Sequence, residues 1–269
     1  MTAATINDDI RQQAEHALHT GDFTTSERLY AQLLDSSYTG ADTEDASTLQ
    51  VRADYALALY GLGDFAAGES QLRRALAGQE NLLGPHHPAT VITTARLAEN
   101  LGEQLRWPDA YKLARTAVDR ALHALDADHP AALTSRLALA WVMSRTTPMQ
   151  ALPLVRATVT DTDRVLGAEH RDTLAANHLL LVTLRSLGKR EEAETVARHV
   201  IATRVQHQGP RHPHTLRARA DMALVLDAAG REHEARTLIE EVVAAGRESL
   251  GTGHPFTIRF LAVRAVITG

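Results

Sequence analysis

The chain has 269 residues, of which 44% are apolar and only 4% aromatic; strands favour aromatic and β-branched side chains, so this composition argues against a β-sandwich or barrel. A net charge of −5, spread along the chain, excludes the clustered basic footprint of a nucleic-acid binder. The absence of cysteine excludes a disulfide framework, a thiol nucleophile and a thiolate metal site.

Of the 28 basic residues, two are lysine (Lys112 and Lys189) and the rest arginine, a bias expected of a GC-rich, bacterial genome. The opening residues lack the basic and apolar regions of a signal peptide. No apolar run approaches the ~20 residues that span a bilayer. A cytoplasmic protein without membrane contact is expected.

In chain order, the sequence is a series of helix breaks. Gly21-Asp22-Phe23 comes first, and Gly63-Asp64-Phe65 repeats it 42 residues on. A second kind of break follows at Leu83-Gly84-Pro85-His86-His87-Pro88-Ala89-Thr90. Next come Leu105-Arg106-Trp107-Pro108, then Leu125 with His129-Pro130, then Arg145-Thr146-Thr147-Pro148. Leu166-Gly167 leads to His170-Arg171, and Gly188-Lys189-Arg190 follows. Gln208-Gly209 leads to His212-Pro213, Gly230-Arg231-Glu232 follows, and Leu250-Gly251 leads to His254-Pro255. The register histidines His87, His129, His170, His212 and His254 are 42, 41, 42 and 42 residues apart, with one residue deleted near Thr146–Thr147.

Each break has a local cause. Glycine tolerates the left-handed conformation that closes a helix C-terminus. Proline suits the first helical turn, where its missing N–H costs nothing. Each repeat is therefore expected to hold two helices of about 15 and 17 residues, with apolar side chains at i, i+3/i+4 and i+7. Small residues recur where paired helices must approach closely: Ala56, Ala98, Ala140 and Ala223 in first helices, and Ala110, Ala151, Ala193 and Ala235 in second helices.

These motifs resemble the tetratricopeptide repeat in its kinesin-light-chain-like variant of about 42 residues. The resemblance runs over about residues 6–267 and rests on Leu-Gly-Pro-His-His-Pro-Ala-Thr (83–90), Leu-Gly-Ala-Glu-His-Arg-Asp-Thr (166–173) and Gly-Lys-Arg-Glu-Glu-Ala-Glu (188–194). It implies an all-α, right-handed solenoid of antiparallel helical hairpins over residues 1–269. The hairpins fall at about 6–37, 45–82, 87–124, 129–165, 170–207 and 212–249, with a single terminal helix at 255–267. It further implies a groove lined by first helices, with Leu57, Tyr60, Glu99, Leu137, Trp141, His178, Val182, Arg185, Leu224 and Asp227 on or near it. Kinesin-light-chain repeats carry paired asparagines that grip a ligand backbone. Here those registers hold Ala53-Asp54, Ala95-Arg96, Leu137-Ala138, His178-Leu179 and Ala220-Asp221, with Asn177 one residue off.

No catalytic constellation accompanies the repeat. Register histidines on successive hairpins are expected to lie on the order of 10 Å apart, given helix spacings of ~8–10 Å, whereas a metal needs ligands at ~2.0–2.1 Å; no metal and no cofactor are expected. Gly188-Lys189-Arg190 is not a phosphate loop. Glu191-Glu192 and Glu240-Glu241 point apart on their helices. Trp141 is equally suited to the groove and to the core.

The function expected is binding of a protein or peptide, with no enzymatic activity. The alternatives are a peptide-sensing regulatory protein and, less favoured, an enzyme built on the repeat scaffold. The terminal helix is expected to pack Ile258, Leu261, Ala262 and Ala265 on the preceding hairpin. Phe256, Phe260, Val263 and Ile267 would then be free for an interface, with a second copy in a homodimer or with a partner.

Overall fold

The computed structural model describes residues 3–36 and 45–269, all helix and short connection with no strand among them. Residue 37, where the first hairpin is expected to end, lies outside the described residues. Among the described residues thirteen helices follow one another: α1 (Ala3–Thr20), α2 (Phe23–Ser36), α3 (Ala46–Leu62), α4 (Phe65–Leu83), α5 (Pro88–Glu103), α6 (Trp107–Ala124), α7 (Pro130–Thr146), α8 (Pro148–Leu166), α9 (Arg171–Ser186), α10 (Arg190–Gln208), α11 (Pro213–Ala228), α12 (Glu232–Leu250) and α13 (Pro255–Thr268). They group into two compact units, Met1–Val142 and Met143–Gly269, with the boundary inside α7. The architecture is that of a tetratricopeptide-type all-α solenoid.

The register histidines have a structural task. In all five, Nδ1 accepts the backbone N–H two residues on: Ala89 at 3.3 Å, Ala131 at 3.1 Å, Asp172 at 3.1 Å, His214 at 3.1 Å and Phe256 at 3.2 Å. Each imidazole thus satisfies one of the unpaired N–H groups at a helix start. The following proline occupies the first helical turn of α5, α11 and α13. The threonine three residues after the histidine ties this turn to what precedes it. Thr90 Oγ1 donates to Gly84 O at 2.9 Å, Thr173 to Thr162 O at 3.1 Å and Thr257 to Gly246 O at 3.2 Å.

The two kinds of glycine break differ. Gly63 is left-handed, with φ 76° and ψ 8°. Gly84, by contrast, has φ 89° and ψ 162°, a region essentially restricted to glycine. The Leu-Gly breaks therefore do not end in the left-handed conformation expected from the sequence. The chain leaves the helix extended, which lets the His-Pro turn start the next helix at once. At the mid-repeat break Leu105 replaces glycine and carries φ 61°, the only non-glycine residue with positive φ among the described residues. It is 72% exposed, so little packing offsets the strain. A left-handed residue with a Cβ costs roughly 1–2 kcal/mol. Leu105→Gly is expected to raise the unfolding free energy by about 1 kcal/mol in urea denaturation; a loss of stability would show that the leucine is held by something besides its backbone.

Alanines set the spacing within the first unit. Ala110, Ala114, Ala117 and Ala121 form the buried stripe of α6, and Ala95, Ala117 and Ala138 meet in one cluster from α5, α6 and α7. A methyl group lets helix axes come close and still removes apolar surface from water, at ~0.8 kcal/mol per CH₂. In the second unit, Leu181, Leu184, Leu216, Ile239, Val242 and Phe260 belong to a single core that runs from α8 to α13.

Candidate ligand-binding face

Among the groove residues expected from the sequence, five lie in the first unit. Leu57, Tyr60, Glu99 and Trp141 are partly buried, and Leu137 is 5% exposed. The Tyr60 hydroxyl donates to Glu103 Oε1 at 2.7 Å, which links α3 to α5. Trp141 is half-buried and packs across neighbouring first helices. Its ring lies where a Cβ on Gly102 would sit, 2.2 Å from Cζ3, and its centroid is 5.7 Å from that of Trp107. Gly102 occupies the repeat position of Tyr60, so the missing side chain on α5 makes the room that Trp141 of α7 fills.

The other five lie in the second unit. His178 and Val182 on α9 are 8% and 6% exposed, whereas Arg185, Leu224 and Asp227 are partly buried. Leu224 packs against the core. His178 and Arg185 converge on Asp221 of α11, which is 4% exposed. His178 Nε2 lies 3.2 Å from Asp221 Oδ2, and Arg185 Nη2 lies 3.5 Å from Oδ1. The imidazole and carboxylate stand at ion-pair distance but off hydrogen-bonding alignment, so Nε2 and Oδ2 make no hydrogen bond. His178 Nδ1, Arg185 Nε and Arg217 Nε, also buried, make none either.

Burial pushes Asp221 up, but His178, Arg217 and Arg185 outweigh it and hold the carboxyl well below its usual range. Burial pulls His178 down to about 4, against the opposing Asp221 contact. At neutral pH Asp221 is therefore ionised and His178 neutral. Between about pH 6.5, where an unperturbed imidazole titrates, and about pH 4 the unfolded chain binds a proton at His178 that the folded chain does not. Stability is thus complete above that window and falls as pH drops through it, by up to about 3 kcal/mol at roughly 1.4 kcal/mol per unit. His214 and His254, also lowered by burial, act in the same direction. Urea denaturation across this range should show the decline, and His178→Gln should make it shallower.

Asp221 and Arg217 are absent from the groove residues expected from the sequence. The signal for Asp221 was present: it stands in the paired-asparagine register, one repeat on from the His178-Leu179 pair. The same register in the first unit holds a similar contact, Arg96 Nη1 to Asp54 Oδ1 at 3.0 Å, between α5 and α3. Asn177 turns elsewhere. Its amide donates to Thr173 O at 3.0 Å, and it lines an open hollow of about 570 Å³ with Val159, Asp163 and His199.

The interface residues expected on α13 require a correction. Phe260 is 0% and Ile267 7% exposed, and Phe256 and Val263 pack against the same core. Ile258 and Val266 are 55% and 69% exposed, and Ala262 and Ala265 are exposed too. The helix is thus rotated relative to expectation. The cause is Gly246 on α12, where a Cβ would meet the Phe260 ring at 3.0 Å; the glycine leaves the room that the ring occupies. Among the described residues no helix is long and apolar enough to cross a membrane.

A tetratricopeptide-repeat family model matches residues 48–89, 182–214 and 215–256. A putative kinesin light chain of Podosopora anserina with tetratricopeptide-like repeats is 24% identical, with 77% of this chain and 98% of that one covered and a TM-score of 0.56. BtubC from P. vanneervenii is 17% identical, with 95% of each chain covered and a TM-score of 0.59. NprR in complex with its cognate peptide NprX is 14% identical, with 99% of this chain and 72% of that one covered and a TM-score of 0.66. A search of curated protein sequences returned no match. Residues 48–89 and 182–256 thus match the tetratricopeptide-repeat model, and the chain shares the fold of these kinesin-light-chain-like repeat structures.

Proposed function

We propose that the chain is a scaffold that binds a protein or peptide partner on the face shared by neighbouring first helices, with the α9–α11 face of the second unit as its centre. The observation that carries this reading is the incompletely hydrogen-bonded cluster of His178, Arg185, Arg217 and Asp221. A buried polar atom without a partner costs about 1–3 kcal/mol, and an array held by alanine and leucine has no need of such a cluster. A ligand that offers carbonyl or carboxylate oxygens to the arginines relieves that cost. Arg185, with 29% of its side chain exposed, stands at the rim where such a ligand arrives. Leu224 and Asp227 supply apolar and polar contact beside it, and Tyr60, Glu99 and Trp141 offer the corresponding positions in the first unit.

A second reading, a regulator that senses a small peptide, is favoured by the fold shared with NprR, a protein whose structure holds its cognate peptide. Both readings use the same face. The test is to capture a partner from native lysate, purify it and titrate it against the full chain and Arg185→Ala. Truncating an arginine anchor commonly costs about 2 kcal/mol or more, so affinity should fall about 30-fold in a variant that stays folded, with a lowered thermal midpoint because Asp221 loses a counter-charge. Equal affinity for both would remove this face from the function. A captured partner that is a short peptide, and that changes the hydrodynamic radius of the chain, would select the sensing reading.

A further inference from the structure

Arg204 of α10 breaks the pattern of its own repeat position. Gln79, Ala121, Thr162 and Gly246 hold the same register on α4, α6, α8 and α12, all buried and all uncharged. Arg204 is as deeply buried, at 4% exposure, yet carries a charge. Its Nη2 donates to Leu174 O and its Nη1 to Gln208 Oε1, each at 2.8 Å, and its Nε makes no hydrogen bond. Both acceptors are neutral. A buried guanidinium ordinarily has a carboxylate against it. Here burial pulls Arg204 down to about 9, and the group that adds to it is another cation, Arg217 of α11. The repeat is disturbed at the next turn as well. Thr173 and Thr257 donate to the carbonyls of Thr162 and Gly246, the residues in the register of Arg204. Thr215 is the corresponding threonine on α11; it is 0% exposed and its hydroxyl has no partner.

Arg217 is half-buried, and its Nε is buried without a hydrogen bond. Asp221 feels its charge but is placed against His178 and Arg185. His214, three residues before Arg217, is kept neutral by burial and then by Arg204. Two guanidinium charges thus meet near the start of α11, where the helix dipole adds positive potential, and among the described residues neither has a carboxylate at ion-pair distance.

We propose that Arg204 and Arg217 form an oxyanion site between α10 and α11, and that its ligand is a phosphoryl group. Charge sets the class. A phosphate monoester carries close to two negative charges at neutral pH and neutralises both guanidiniums, whereas a carboxylate leaves one of them uncompensated. Arginine offers its N–H groups in a planar fork that suits phosphate oxygens. Leu174 and Gln208 hold Arg204 in place before the anion arrives, and Arg217 reaches the surface from which it comes. The phosphoryl group belongs to free phosphate or to a phosphorylated side chain of a partner. The site shares Arg217 with the α9–α11 face but goes beyond it, since it draws on α10 and does not need Arg185.

The probes are inorganic phosphate, N-acetyl-O-phosphoserine amide and N-acetylaspartate amide, each titrated calorimetrically into the full chain at neutral pH and constant ionic strength. Saturable one-to-one binding of the two phosphoryl compounds is expected, about tenfold or more tighter than that of the carboxylate. Tighter binding of inorganic phosphate identifies the free anion as the source; tighter binding of the phosphoserine compound identifies a modified side chain. Arg204→Met and Arg217→Gln should each weaken binding about tenfold or more. Replacing a buried charge by an apolar side chain of similar size is often neutral or stabilising, so the thermal midpoint of Arg204→Met should hold or rise, the reverse of what a purely structural arginine would give. Arg217 is half-buried, so Arg217→Gln remains a test even if Arg204→Met fails to fold. Equal affinity for the carboxylate, no saturable binding of either phosphoryl compound, or undiminished binding by Arg217→Gln overturns the proposal. Arg185→Ala should leave phosphate binding unchanged, so failure here is separable from failure of the α9–α11 face.

Discussion

Phe260→Ala is expected to lower the unfolding free energy by about 3–5 kcal/mol, the usual result of truncating a buried phenylalanine. Phe260 is wholly buried, and its ring fills the space above Gly246. No neighbour can collapse into that space without moving α12, so the cavity term is added to the lost transfer free energy. The loss should be concentrated at α13, whose amides should exchange with solvent far sooner than those of α11. Ile258→Ala on the same helix is the control. That residue is 55% exposed, and its truncation should stay within about 0.5 kcal/mol. Urea denaturation of the two variants measures the rotation of α13 directly. The opposite order would return Phe260 to the outer face.

Asp221→Ala is expected to be of similar size, about 3–5 kcal/mol, for a different reason. The carboxylate is the counter-charge for Arg185 and neighbours Arg217, with His178 against it. Removing one partner of a buried pair leaves the other charge desolvated without compensation. High salt should change this loss little, because buried pairs are poorly screened. The surface pair Arg219–Glu241, 2.6 Å apart with 24% and 58% of the side chains exposed, provides the contrast. Arg219→Ala should cost about 1 kcal/mol or less. Chemical denaturation at low and high salt checks both. An Asp221→Ala loss no larger than that of Arg219→Ala would mean that water reaches the cluster.

The helices and their breaks were legible in the sequence because each rests on local chemistry repeated in register. A histidine whose ring caps the turn it precedes, a proline in that turn and a glycine where φ must be positive act within a few residues. Even the departures were visible: Leu105 stands in the glycine register, and Thr147 follows the deletion that removes it. The alanine positions were legible for a related reason, since only small residues suit a close crossing at both members of a hairpin.

The rotation of α13 was not legible. With apolar residues on every side, its periodicity offers two faces of similar hydrophobicity, and the choice was made by Gly246 on another helix. Trp141 likewise could not be assigned from its own position; the gap at Gly102, one repeat earlier, decides where the ring goes. The cluster at Asp221 needed two positions of α9, 43 and 36 residues before it, to meet it, and local periodicity carries no information about which polar side chains face each other across neighbouring hairpins. Sequence by itself determined the repeat, the helix bounds and the fold class, because caps, turns and spacing are short-range. Tertiary packing decided which faces are buried, which charges meet and which apolar stripe is left open, because those outcomes depend on the space that distant small residues leave.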